Sequence, residues 1–210
     1  MRREIGWTFL WAGLLALSSS TVFGQERWVY RYNGPGNHAD CAISIVAGND
    51  GNLYAGGYST GSGTESDLTA VSLTAWGGER WVYRYNGPGN DWDWAYSIVM
   101  GSDGNLYAAG WSVGSGTSDD FTVISLTPSG GERWVYRYNG PGNDWDWAYS
   151  IVMGSDGNLY AAGWSVGSGT SDDFTVISLT PSGGERWVYR YNGPGNDWDW
   201  AYSIVMGSDG

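Results

Sequence analysis

The string ERWVYRYNGPGN begins at Glu26, Glu79, Glu132 and Glu185, so the chain repeats with a constant period of 53 residues. A fixed period of this size constrains the fold more than any other feature. Each unit is one supersecondary element that buries its apolar surface on its neighbours rather than on itself. Units 79–131 and 132–184 are identical, while unit 26–78 differs at positions such as His38, Ala39, Cys41 and Trp76 and reads as a divergent cap or an older copy. Residues 185–210 form a partial unit, and 25–210 is one repeat array.

Within a unit, four apolar runs alternate with turn signals at short spacing, which is an all-β pattern. Ala95–Met100 is apolar on both faces, "SDGN" predicts an Asp-Gly two-residue hairpin, and Leu106–Ser112 follows. After "VGSGTSDD" comes Phe121–Leu126, then a turn through Pro128, Gly130 and Gly131, then Arg133–Tyr138. The expectation is a β-propeller of four-stranded antiparallel blades, with Ala95–Met100 innermost and Arg133–Tyr138 outermost. A β-solenoid is the competing architecture, but its rungs are shorter and pair in parallel. Arg27–Tyr32 then supplies an isolated outer strand and Ala201–Met206 an isolated inner strand. The array is an incomplete, open arc of about three and a half units, which either continues with more units or self-associates through its open blade edges.

The run "DWAYSIVMGSDGNLYAAGWS", followed by an Asp-Phe pair and a later Trp, resembles the SBBP-type bacterial β-propeller repeat of secreted and cell-surface proteins. The resemblance covers nearly all of residues 26–210. It implies the propeller fold and an extracellular setting, and no common activity. "SLTPSGGERW" is also similar to the strand-turn-Trp segment of quinoprotein propellers, but the cofactor-binding residues of those enzymes are missing. The likeness is one of blade geometry.

Composition narrows the function. The net charge is −12 and all ten basic residues are arginine, so the footprint of a nucleic-acid binder or a polybasic membrane surface is missing. One cysteine, Cys41, and one histidine, His38, provide neither an internal disulfide nor a His-based metal cluster or catalytic triad. The N-terminus has arginines, an apolar run from Ile5 to Leu17, then small residues before Gly24. This predicts a secretory signal peptide over 1–24, cleaved near Gly24, and no membrane span in the mature chain. An uncleaved anchor is the alternative reading.

The loop NGPGNDWDW recurs at Asn86, Asn139 and Asn192 and returns from an outer strand to the next inner strand. Together with "VGSGTSDD" it places aspartates and indoles on one face of the wheel. Trp81, Trp94 and Trp111 are expected to pack between blades, Trp92 to be exposed, and Asp93 to close its loop by accepting backbone N–H bonds. The leading expectation is a secreted, non-enzymatic scaffold whose partner is carbohydrate or another protein at the cell surface. Sugar would stack on an indole while Asp accepts hydroxyl bonds. The candidates are Trp92, Asp91 and Asp93, with Trp145, Asp144 and Asp146, and with Trp198, Asp197 and Asp199. Unit 26–78 has His38, Ala39 and Cys41 instead and should not bind. Two further readings are a structural subunit of an extracellular ring or filament, and Ca²⁺ binding by Asp119, Asp120, Asp172 and Asp173 as hard oxygen ligands. No catalytic residues are expected, because identical carboxylates on an exposed rim lack the separate environments that acid–base work needs.

Overall fold

In the computed structural model, which describes residues 27–208, the chain forms twelve strands and, among the described residues, no helix. Sheet 1 contains β1 (Asp40–Ala47), β2 (Leu53–Thr60), β3 (Ser66–Leu73) and β4 (Glu79–Tyr85). Sheet 2 contains β5 (Asp93–Met100), β6 (Leu106–Val113), β7 (Asp119–Leu126) and β8 (Glu132–Tyr138). Sheet 3 contains β9 (Asp146–Met153), β10 (Leu159–Val166), β11 (Asp172–Leu179) and β12 (Glu185–Tyr191). Each sheet is antiparallel with its strands in chain order. The fourth strand of every sheet belongs to the next sequence unit, so neighbouring units are interlocked.

The turns follow from glycine placement. The hairpin expected as a two-residue Asp-Gly turn has a three-residue loop. Gly101 N–H bonds Asn105 O at 2.8 Å, Gly104 N–H bonds Gly101 O at 3.0 Å, and Gly104 has φ +79° while Asp103 keeps a negative φ. A type I turn followed by one left-handed glycine satisfies the same sequence and leaves no Asp strained. The β7–β8 turn repeats this pattern with Gly130 at φ +87°.

Two bulges shape each sheet. Tyr96 is the extra residue between Ala95, which faces Gly110, and Ser97, which faces Ala109. Arg133 is the extra residue between Trp134, which faces Ser125, and Glu132, which faces Leu126. The second bulge turns the Arg133 guanidinium back across the sheet to Ser125 Oγ at 2.8 Å and Tyr107 Oη at 3.3 Å.

The sheets stack like blades, with β5 against β1, β2 and β3, and β9 against β5, β6 and β7. Tyr54, Leu68 and Ala70 of sheet 1 press on Ala95, Ile98, Leu106 and Ile124 of sheet 2. Tyr107, Phe121 and Val123 press likewise on Ala148, Ile151, Leu159 and Ile177 of sheet 3. Each outer strand also clasps the next sheet's outer turn. Trp81 Nε1–H donates to Pro128 O at 3.0 Å, and Tyr83 Oη–H donates to Glu132 Oε2 at 2.5 Å. Trp134 and Tyr136 repeat this on Pro181 and Glu185.

Arg27–Tyr32 and Ala201–Met206, expected as strands, join no sheet. Each lies where an outer or inner strand would lie and makes the corresponding cross-sheet bonds. Trp28 Nε1–H reaches Ala75 O at 3.2 Å, Tyr30 Oη–H reaches Glu79 at 2.5 Å, and Ile204 N–H reaches Ser150 Oγ at 3.3 Å. A strand needs an in-plane partner to form a ladder, and here the contacts are with the neighbouring sheet, including Asp199 N–H to Asp172 O at 2.7 Å and Ala201 N–H to Gly163 O at 3.2 Å. The expected signal peptide lies outside the described residues.

Beside the Tyr96 bulge, a Cβ on Gly110 would lie 1.8 Å from Trp94 O. A backbone oxygen cannot rotate away, so Gly110→Ala is expected to cost at least the roughly 1–3 kcal/mol of an overpacked core, read as a lowered midpoint in denaturant unfolding.

Candidate functional site

The return loop is built to hold one conformation. Asn90 sits at φ 53°, its N–H bonds Gly87 O at 3.0 Å, and Asn86 Nδ2 bonds Asn90 Oδ1 at 2.8 Å. Asparagine tolerates the left-handed region that closes this turn. Gly89 N–H to Val113 O and Trp92 O to Val113 N–H, both at 3.1 Å, tie the loop to the end of β6. The copies at Asn143 and Asn196 have φ 52° and 53°.

Asp91 and Trp92 stand out from this frame. Trp92, Trp145 and Trp198 are 50%, 53% and 69% exposed, and Asp91, Asp144 and Asp197 are exposed beside them. The indole N–H of Trp92 donates to Glu65 Oε2 of the preceding sheet at 3.2 Å. Later units have Ser118 and Ser171 at the Glu65 position. The other indoles form a ladder between sheets. Tyr58 stacks on Trp94 at 4.2 Å, Trp111 on Trp147 at 5.3 Å, and Trp164 on Trp200 at 5.8 Å.

The third member of each candidate trio behaves differently. Asp93 and Asp146 are fully buried, and Asp199 is part-buried. Asp93 Oδ2 accepts the Gly87 N–H at 2.7 Å, and Asp146 accepts the Gly140 N–H at 2.6 Å. These carboxylates close the loop from inside and do not share the surface with the indoles. The space a Cβ on Gly87 would need is filled by Ser112 Oγ and Asp93 Oδ1, so only glycine lets the loop pass this close.

Asp93 begins a polar string that crosses the sheet, one residue per strand: Asp93, Ser112, Asp120, Arg137. Ser112 faces Asp93 and Asp120 across the ladders. Arg137 bonds the Ser112 hydroxyl, Ser112 O at 2.8 Å and Asp120 Oδ2 at 2.7 Å, and reaches Tyr85 Oη of the preceding sheet at 3.3 Å. Arg84 and Arg190 hold the same place in sheets 1 and 3. The string was missed in the sequence, although an arginine at a fixed place in an otherwise apolar strand, WVYRY, is its signal.

Of the calcium candidates, Asp120 and Asp173 are therefore committed to guanidinium partners, with Asp173 on Arg190 at 2.7 Å. Asp119 and Asp172 accept the indole N–H of Trp147 at 2.9 Å and of Trp200 at 2.8 Å. Burial raises the Asp119 carboxyl above its ordinary value, and Asp91, Asp120 and Asp144 nearby add to the rise. No group of three or more His, Cys, Asp or Glu side chains converges among the described residues to hold a metal ion. Among those residues no helix is long and apolar enough to cross a membrane.

No family model matches the chain. Ultraviolet-B receptor UVR8 of Arabidopsis thaliana is 28% identical over 125 residues, which are 55% of this chain and 26% of the relative. A protein of unknown function from Bacteroides caccae has a TM-score of 0.47 and 14% identity, over 80% of this chain and 50% of that one. A eukaryotic initiation factor has a TM-score of 0.49 and 8% identity, over 79% and 35%. The chain thus spans half or less of each of these three proteins.

Burial pushes Asp93 and Asp146 up to about 6, against the opposing pull of the loop amide, the serine and the arginine. The folded state then binds a proton more tightly than the unfolded chain, whose carboxyls keep the ordinary value of 3.8. These two groups weaken the fold above their folded pKa, and their contribution turns favourable as pH falls from about 6 toward the unfolded value. Melting curves across that window should show the rise, and Asp93→Asn with Asp146→Asn should flatten it while keeping the acceptor for the loop amide. Arg137→Ala leaves Asp120 buried without its partner and is expected to cost about 3–5 kcal/mol, measured by chemical unfolding.

Proposed function

We propose that this chain is a non-enzymatic binding scaffold of the β-propeller type, built from SBBP-type repeats, which presents carbohydrate-binding loops in a row. The observation behind this reading is the trio of exposed indoles, Trp92, Trp145 and Trp198, each beside an exposed aspartate and each following the same asparagine-closed turn, which in the first two copies is also tied to Val113 and Val166. An indole that only packs would be buried, as Trp111 is at 3% exposure. A flat apolar ring rimmed by hydrogen-bond acceptors suits the apolar face of a sugar and its hydroxyls. Asp93, Asp146 and Asp199 act here as positioning residues that fix the loop.

Similar sites on successive repeats bind a repetitive ligand by avidity, so each contact can be weak. A polysaccharide offers that repetition. The signal-peptide reading of residues 1–24 places the scaffold outside the cell or on its surface, where such ligands are met. The acidic face disfavours anionic polymers and favours neutral or basic sugars.

A glycan array probed with the protein, followed by titration of any hit, tests the reading. Trp145→Ala combined with Trp198→Ala should lower apparent affinity by at least about tenfold through lost avidity, with the melting temperature nearly unchanged. Trp111→Ala should instead cost about 3–5 kcal/mol of stability. Silence on the array at millimolar sugar, or full retention of binding by the Trp92, Trp145 and Trp198 triple variant, would sink the proposal.

A further inference from the structure

The junction between sheets 2 and 3 carries charge that the junction between sheets 1 and 2 lacks. Asp119 heads β7, and Val113, its partner across the ladder, is bonded to Trp92 O, which sets Asp119 beside the return loop of its own sheet. Its Oδ2 accepts the Trp147 indole N–H at 2.9 Å, which ties it to the next return loop as well. Asp119 thus stands between Asp91 of one loop and Asp144 of the next. Burial raises its carboxyl, and the charges of Asp91, Asp120 and Asp144 raise it further. Asp120 is neutralised by Arg137 at 2.7 Å. Among the described residues Asp91, Asp119 and Asp144 are paired with no arginine, and the chain has no lysine.

Trp145 stands at the same cleft, 53% exposed, with Asp144 before it in the chain. In the first junction Glu65 accepts the N–H of the corresponding indole, Trp92. Ser118 occupies the Glu65 position opposite Trp145 and is too short to do the same. The first junction also has His38 for Asp91 and Ser66 for Asp119. One molecule therefore holds an indole edge closed by an internal carboxylate and, one repeat on, an open edge beside three carboxylates that no internal cation offsets.

We propose that this cleft selects sugar units bearing a protonated amine, so that the ligand of the scaffold is a polymer of deacetylated amino sugars. The assignment rests on the carbohydrate reading of the same loops. The apolar face of the pyranose covers Trp145, a sugar oxygen takes the open indole N–H, and the ammonium meets Asp119, Asp91 and Asp144. An ammonium donates up to three charge-assisted bonds and relieves the repulsion among the carboxylates. A neutral sugar gains the stacking without that relief, and an anionic sugar adds to the repulsion. A basic peptide offers the charge without the hydroxyls that the remaining carboxylate oxygens accept. Asp119 sets the preference, because it faces both neighbouring loops. Asp144, Asp172 and Asp197 repeat the arrangement beside Trp198.

The full chain is titrated with a hexamer of glucosamine and with a hexamer of N-acetylglucosamine, with amines protonated and carboxylates ionised. The amine form should bind at least about tenfold more tightly, the worth of one charge-assisted bond. The gap should narrow as salt screens the exposed charges. Asp119→Asn with Asp172→Asn removes the charge and keeps an acceptor for the indoles of Trp147 and Trp200. This variant should melt as the wild type does, bind the acetylated hexamer unchanged and lose the preference for the amine. A preference that survives in the variant would overturn the proposal. So would hexalysine binding as tightly as the glucosamine hexamer, which would point to a basic protein partner. Equal binding of the two hexamers by the wild type removes the amine preference and leaves the carbohydrate reading standing, whereas binding of neither removes both.

Discussion

Both faces of every sheet in this chain are apolar, so no sheet is stable until a neighbour covers it. Leu106 and Ile124 turn to the sheet before, Phe121 and Val123 to the sheet after, and all four are fully buried. A four-stranded sheet of this kind has no independent core, and its free energy is mostly an interface term. The 53-residue period follows from that constraint. The outer strand comes from the next unit, so the covalent chain itself brings the covering sheet into place. The clasp of Trp81 and Tyr83 on the next outer turn then fixes the stacking distance at the rim.

Stacking of apolar faces alone would let sheets slide, and the polar string across each sheet opposes this. Asp93, Ser112 and Asp120 occupy one level of three successive strands, and Arg137, which faces Thr122 on the fourth, reaches back to Ser112 and Asp120 and also to Tyr85 of the sheet before. Slipping one strand by a residue within its sheet would strand a buried carboxylate without its donor, at a cost of several kcal/mol, and the bond from Arg137 to Tyr85 opposes a slip between sheets. Register is thereby specified within and between sheets. The same string reaches the surface through Asp93, which holds the Gly87 amide and with it the loop that displays Asp91 and Trp92. The exposed indoles are thereby held in place by a carboxylate in the core.

Much of this was legible in the sequence, because period and alternation report directly on burial. The four runs per unit became four strands, longer than expected by at most two residues at either end, and Trp94 and Trp111 proved to be stacked between sheets. The hairpin type was not legible, since an Asp-Gly pair fits both a two-residue and a three-residue loop and the flanking bulges decide between them. The role of Asp93 was visible as one of two readings. Its separation from Asp91 appears only once the loop folds, when two residues of the same type, two positions apart, end in water and in the core. Arg137 was missed because charge on a strand is ordinarily a mark of exposure, and here the partners come from two other strands of the same sheet.

The divergence of the first unit is where sequence and structure explain each other best. Position 66 is serine where later units have Asp119 and Asp172, and the buried indole N–H of Trp94 accordingly finds no acceptor, while Trp147 and Trp200 do. Glu65 replaces Ser118 and reaches out to bond the edge of Trp92. His38 and Ala39 stand where Asp91 and Trp92 stand, so this unit has a closed loop and no platform. The changes also reach the core, where Leu68, Ala70 and Val71 stand in place of Phe121, Val123 and Ile124, and the opposite turns, where Ala75 and Trp76 stand in place of Pro128 and Ser129, while Ser59, Asp67 and Arg84 keep the polar string intact. The residues that set register are unchanged where loop, core and turn residues all differ.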